Sequence, residues 1–187
     1  MSAVTIIPAS QFREGRWLNG MGVSWDIAAE PPGAGMTDFG WRFAIARIDA
    51  DVPFSRYAEV DRVFTLLEGE GLDLDVAGLG RIAVHERFVP HAFPGDADTG
   101  CLLRRGPCRA LNLFLHRGRW RAEVSVPGDP LTIGACDAAL LFALRSEHTV
   151  DAEPLSEGDA AVAEPGTRIV PHGPEALVYA ARLFREG

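Results

Sequence analysis

The chain of 187 residues predicts an all-β fold, and three observations predict it. Breakers are dense: with 20 glycines and 13 prolines at short intervals, few windows run ten residues without one, and long helices have no room. The stretches between breakers carry strand patterns, either strict alternation or short apolar runs. Glycine-rich turn signals separate those stretches. Many short strands at regular spacing predict sheets closed into sandwiches or barrels.

Taken along the chain, Glu30 to Thr37 is rich in Pro and Gly and reads as an exposed loop rather than a linker between domains. Trp41 to Ile48 reads as a strand, with Trp41, Phe43, Ile45 and Arg47 on one face and Arg42, Ala44, Ala46 and Ile48 on the other. Glu68-Gly69-Glu70-Gly71 reads as a hairpin turn between Val63–Leu67 and Leu72–Val76, where three apolar residues alternate with Asp73 and Asp75. His116-Arg117-Gly118 reads as a second hairpin turn, between Leu111–Leu115 and Arg119–Val126. In the latter run Trp120, Ala122, Val124 and Val126 face one way. Leu140 to Leu144 is apolar throughout, as for a strand covered on both faces. Leu177 to Phe184 fits strand or helix, and Val178 and Tyr179 favour strand.

Charge excludes several functions. The formal net charge is −8, which opposes both nucleic acid and an anionic membrane surface. All 18 basic residues are arginine, so a Schiff base, a P-loop lysine and any other catalytic lysine are excluded. Cys101, Cys108 and Cys136 form no C-x-x-C pair and are odd in number, so they read as reduced thiols, mostly buried. The first residues lack the charged and apolar regions of a signal peptide, and no apolar run approaches a membrane span. A cytoplasmic protein is expected.

One pattern occurs twice. Leu66-Leu67-Glu68-Gly69-Glu70-Gly71 precedes a strand and a later Pro-containing turn; Leu155-Ser156-Glu157-Gly158-Asp159 precedes Ala160–Ala163 and then Pro165-Gly166. Each resembles the centre of a cupin barrel. The resemblance implies a tandem, bicupin arrangement of β-barrels or jelly rolls in one compact unit. Its halves are residues 1–126 and 127–187, with strands exchanged between them. Metal-binding cupins carry His-x-His with a Glu, then Gly-Asp, a Pro-Gly turn and a further His. Here Ile169 falls where that last His belongs, His172 sits three residues on, and Arg56 to Asp61 holds no His. His85, His91, His116, His148 and His172 have no mutual spacing of two or four. Neither a metal nor another cofactor is expected.

A longer set of blocks is more specific. Trp17-Leu18-Asn19-Gly20-Met21-Gly22-Val23-Ser24 precedes Phe39-Gly40-Trp41-Arg42-Phe43-Ala44-Ile45-Ala46, then Pro53-Phe54-Ser55-Arg56-Tyr57 and Val60 to Gly71. Phe93-Pro94-Gly95-Asp96, Gly106-Pro107 and Leu111-Asn112-Leu113 follow. This order resembles the HutD/Ves family of small bacterial double-cupin proteins, over Trp17 to Arg117. Met21, Val23 and Ala110 depart from the family pattern. The resemblance implies a small-molecule pocket and, through HutD-type members, an association with histidine utilisation.

Candidate ligand-binding residues are Trp17, Asn19, Ser24, Arg42, Ser55, Arg62 and Asn112. Arg42 shares its strand face with Ala44 and Ala46, which leaves volume beside a guanidinium, the makings of a carboxylate pocket. A structural acid could equally pair with it. Arg62 poses the same choice, and Asp61 cannot serve it, because adjacent strand residues face opposite ways. Asn19 and Gly20 also fit a plain tight turn. Ser55 lacks a nucleophile elbow. Asp96 is a secondary pocket candidate, whereas Glu68, Glu70, Asp73 and Asp75 read as a solvated hairpin face. The expected partner is a small anionic metabolite, with room for a homodimer. The alternative is a metal-free isomerase or hydrolase of small carboxylic acids, with a histidine such as His91 as base. No catalytic residue can be named.

Overall fold

The computed structural model describes residues 4–187. Among them the only helical element is one short 3-10 turn, Ala9–Gln11; the rest is strand and connection. Backbone contacts divide the chain into two units: Arg13–Arg119, and a second that joins the residues through Phe12 to Trp120–Gly187. The strand Trp120–Ser125 lies in the second unit, and the expected seam after Val126 falls just beyond it.

In the Arg13–Arg119 unit a six-stranded sheet runs in the order Arg13–Arg16, Val23–Glu30, Trp41–Ile48, Cys108–His116, Val60–Glu68, Pro90–Pro94. A three-stranded sheet runs Gly80–Val84, Leu72–Val76, Thr99–Leu103. Their inward faces share one core: Ile48, Phe64, Leu66 and Ala110 from the larger sheet, Leu72, Leu74, Val76, Val84 and Cys101 from the smaller. The alternation of Leu72 to Val76 is visible here, with the leucines and the valine buried and Asp75 exposed.

The second unit repeats the plan. A five-stranded sheet runs Val4–Ile7, Ala160–Ala163, Ala138–Arg145, Leu177–Arg185, Trp120–Ser125, and a four-stranded sheet runs Leu131–Thr132, Arg168–Pro171, His148–Val150, Glu153–Leu155. Ala139, Leu141, Ala161, Ala163 and Ala180 pack with Val150, Leu155 and Ile169. Leu140 to Leu144 is buried throughout, as its unbroken apolar run requires, and Leu177–Arg185 is a strand. The fold is all-β, tandem and cupin-like, but among the described residues no sheet closes into a barrel.

Two local expectations need correction for one shared reason. Val60–Glu68 and Leu72–Val76 do not form a hairpin; the first pairs within the six-stranded sheet and the second within the three-stranded one. Gly69 and Gly71 turn a corner between sheets, at φ 104° and 94°. A Cβ on Gly69 would lie 2.6 Å from Cys108 Sγ, and one on Gly71 would lie 2.6 Å from the Val84 carbonyl oxygen. Likewise Cys108–His116 and Trp120–Ser125 do not pair; the turn closed by Arg119 N–H to His116 O carries the chain from one unit into the other. Residues 31–40 form a non-regular connection, largely exposed, with Ala34 and Met36 tucked against Phe39, Tyr57, Val60 and Phe114. Among the described residues no helix is long and apolar enough to cross a membrane.

Candidate functional site

Cross-strand register assembles the site on the inward face of the six-stranded sheet. Arg42, Phe114, Arg62 and Phe93 form one row across four strands. The next row is Asp26, Ala44, Asn112, Phe64, and the next begins Ser24, Ala46, Ala110, Leu66. The two arginines thus stand two strands apart, about 10 Å between backbones, with one aromatic ring between them. Arg42 Cζ lies 5.3 Å from the centre of the Phe114 ring and Arg62 Cζ 4.9 Å from it.

Each arginine reaches diagonally into the next row, and there they differ. Arg42 donates from Nε (2.8 Å) and Nη2 to a single oxygen, Oδ1, of Asp26, whose side chain is 36% exposed. Arg62 donates from Nη2 to the amide oxygen of Asn112 (2.7 Å), and its buried Nε has no partner. Among the described residues no carboxylate serves it. Three rings enclose it instead, Phe54, Phe93 and Phe114, with centres 4.8–5.3 Å from Cζ. Burial, reinforced by the neighbouring Arg42 charge and opposed by Tyr57, pulls its pKa down to about 10. It therefore remains a cation at neutral pH, with a penalty on the order of 3 kcal/mol on the charged form. Asp61 pairs with Arg117 instead (2.7 Å), as the alternation of faces dictates.

These groups open onto a cavity of about 30 Å³, lined by Trp17, Ser24, Met36, Arg42, Ala44, Ile45, Ala46, Phe54, Ser55, Tyr57, Arg62, Phe64, Asn112 and Phe114. A buried water needs on the order of 10–15 Å³ by this measure, so the closed part suits a group the size of one carboxylate. Six of the seven candidate residues line it. The seventh, Asn19, stands outside: its backbone N–H donates to Ser55 Oγ (3.1 Å), and its side chain ties Pro53 O to Met21 N–H. It is the turn-former the residue type allowed, holding the 17–22 loop against Ser55. Trp17 donates its indole N–H to Val23 O (3.0 Å) and lies flat over Gly22, where a Cβ would come within 2.3 Å of the ring. Met21 is half-exposed, Val23 is part-buried and offers its carbonyl to Trp17, and Ala110 is fully buried in the core, so none of the three departures lines the cavity.

Sequence reasoning missed Asp26, Phe114, Tyr57 and Met36. Asp26 stands in the middle of Val23–Glu30, and only the register with Trp41–Ile48 puts it on the Ala44 side of the sheet. His91 sits on the edge strand and does not line the cavity; burial lowers its pKa against the pull of Glu86. Asp96 is held by Arg117, which keeps its carboxyl below the usual range. Glu68 pairs with Arg109, and Asp73 with His85 and Arg81.

The residues do not fit a cupin metal. The cavity lining contains no His, Cys, Asp or Glu. Ile169 is fully buried in apolar core, and His172 Nε2 meets Thr149 Oγ1 at 2.6 Å. Among the described residues no three His, Cys, Asp or Glu side chains converge as metal ligands would.

Comparison with known proteins agrees with this architecture. The HutD family model matches residues 9–178. An uncharacterised 21.2 kDa protein from the hutC 3′ region of Pseudomonas putida is 32% identical over 151 residues, covering 80% of this chain and 78% of that one. Protein Ves of Cronobacter sakazakii is 33% identical over 129 residues, covering 68% of this chain and 69% of its own. The structure of HutD from Pseudomonas fluorescens SBW25, solved in a formate condition, superposes with a TM-score of 0.86 at 26% identity, over 99% of this chain and 100% of that one. The chain belongs to the HutD family.

Proposed function

We propose that the protein binds a small anionic metabolite through a carboxylate seated against Arg62 in this cavity, as a sensor or store rather than as an enzyme. Arg62 carries the reading. A guanidinium that is buried, ringed by aromatics and given no carboxylate of its own is costly to keep. An anionic ligand supplies the missing partner, and Arg can bind it through two parallel bonds. Asn112, Ser24, Ser55 and the Tyr57 hydroxyl offer neutral polar contacts around it, while Trp17, Phe54, Phe64 and Phe114 exclude water. The location of the P. putida relative beside hutC supports a ligand from amino-acid, and specifically histidine, breakdown. We place this activity in the cytoplasm.

The enzyme alternative requires a group that moves protons near neutral pH. The cavity lining offers only arginines and a tyrosine as ionisable groups, which favours binding without turnover. A thermal-shift screen of amino-acid catabolites tests the proposal. A ligand present at a hundred times its Kd should stabilise the protein by about 2.7 kcal/mol, and Arg62→Met should abolish that gain. A stabilising carboxylate that acts equally on Arg62→Met would overturn the reading, as would steady turnover of the ligand by the wild-type protein.

A further inference from the structure

The cavity contains two formal cations, yet its charge is not two. Arg42 is compensated from behind by Asp26, which is absent from the lining and reaches the cavity only through that guanidinium. Among the described residues Arg62 has no acid: its partners are the neutral amide of Asn112 and three aromatic rings. Resting on the anion-site reading above, we propose that Asp26 is a positioning residue that sets the charge of the accepted ligand. By neutralising Arg42 it leaves one uncompensated cation, so the cavity takes a single carboxylate and discriminates against a second negative charge beside it.

Three observations support this. First, charges held away from water must balance nearly one for one, because each unpaired ion costs several kcal/mol. With Asp26 in place the balance needs one anion. Second, the cavity is small, about 30 Å³, and its lining is mostly apolar, so few waters can accompany a second charge. Third, Arg42 donates from both Nε and Nη2 to Asp26, so its charge is already answered by an acid outside the cavity lining. A dianion would have to draw Arg42 away from Asp26, stranding a half-buried carboxylate. Because the Asp26 side chain is 36% exposed, replacing it opens no void in the core; the cost falls on Arg42, left without an acid.

Oxamate and oxalate make the test, since they share a shape and differ by one charge. Binding of each is measured by calorimetry at constant ionic strength to the wild type, Asp26→Asn, Asp26→Glu and the double variant Asp26→Asn/Arg42→Gln. The wild type should prefer oxamate. Asp26→Asn should move the oxamate-to-oxalate ratio at least tenfold toward oxalate, and Asp26→Glu should keep the wild-type ratio. The double variant, again with one uncompensated cation, should return toward oxamate; because it strands no charge, it also covers the case of a poorly folded Asp26→Asn. A ratio that stays within twofold across these proteins overturns the role of Asp26. If the wild type binds neither anion, or binds both without needing Arg62, the anion site itself fails and this inference with it.

Discussion

Through the middle of the six-stranded sheet one cross-strand row reads Asp26, Ala44, Asn112, Phe64; through the five-stranded sheet of the other unit it reads Ile6, Ala161, Leu141, Ala180. Both rows lie on the inward face of the larger sheet, and both use alanine, on one strand in the first unit and on two in the second. In the second unit the space left by alanines is filled by apolar neighbours, and His148 and Thr167 are its buried polar side chains. In the first unit the same economy of volume sits beside Arg42, Arg62 and Asn112, and a cavity results. Small residues on this sheet face make a core or a cavity, depending on whether buried charges stand in the neighbouring row.

The comparison can be broken most sharply at Leu141. Leu141→Ala removes a fully buried side chain from the apolar unit and should cost about 2–5 kcal/mol in urea unfolding. Anion binding at the other unit should be unchanged in the folded fraction. Next comes Arg42→Gln, which deprives Asp26 of its partner. Because Asp26 is part-solvated, the cost should be about 1–3 kcal/mol, below that of a fully buried pair. Arg62→Met should do less in the absence of ligand. It removes an unmatched cation but leaves the Asn112 amide oxygen without its donor, so stability should change by less than about 1 kcal/mol while anion binding disappears. A loss comparable to that of Leu141→Ala would mean that Arg62 is a structural member of its row.

The smallest effect concerns pH. His148 is buried in the apolar unit, and burial, aided by His172 and opposed by the Ser146 backbone, lowers its pKa from the ordinary 6.5. Folding thus favours the neutral ring, and unfolding takes up a proton. Stability from this group is intact above the unfolded value and falls as pH drops through it toward the lower folded value. Between pH 7 and pH 5 His148→Leu should lose stability less steeply than wild type; equal slopes would remove His148 from the acid response.

Much of this was legible in local pattern. The face shared by Arg42, Ala44 and Ala46 follows from alternation alone, and so does the separation of Asp61 from Arg62. What local pattern could not supply was which strands pair. Gly69 and Gly71 look like hairpin residues because a hairpin and a corner between sheets make the same demand on φ; only the distant Cys108 and Val84 backbones decide between them. The same limit hid Asp26 and Phe114. Each acquires its role through register with residues 16 to 72 positions away in sequence, as in Arg42 with Asp26 and Phe114 between two arginines.

The strand Val4–Ile7 has a consequence for how the chain is made. Its partner Ala160–Ala163, and the Asp159 carboxylate that receives the Ala9 N–H, lie about 150 residues later. At roughly 5–20 residues per second a ribosome needs on the order of 8–30 s to deliver them. Through that interval a short apolar strand waits with both edges open, a template for any extended segment that meets it. Meanwhile Arg13–Arg119, continuous in sequence, has the partners of its strands within itself once Arg119 emerges. The proposed anion site can be complete on a nascent chain whose Val4–Ile7 strand is still unpaired.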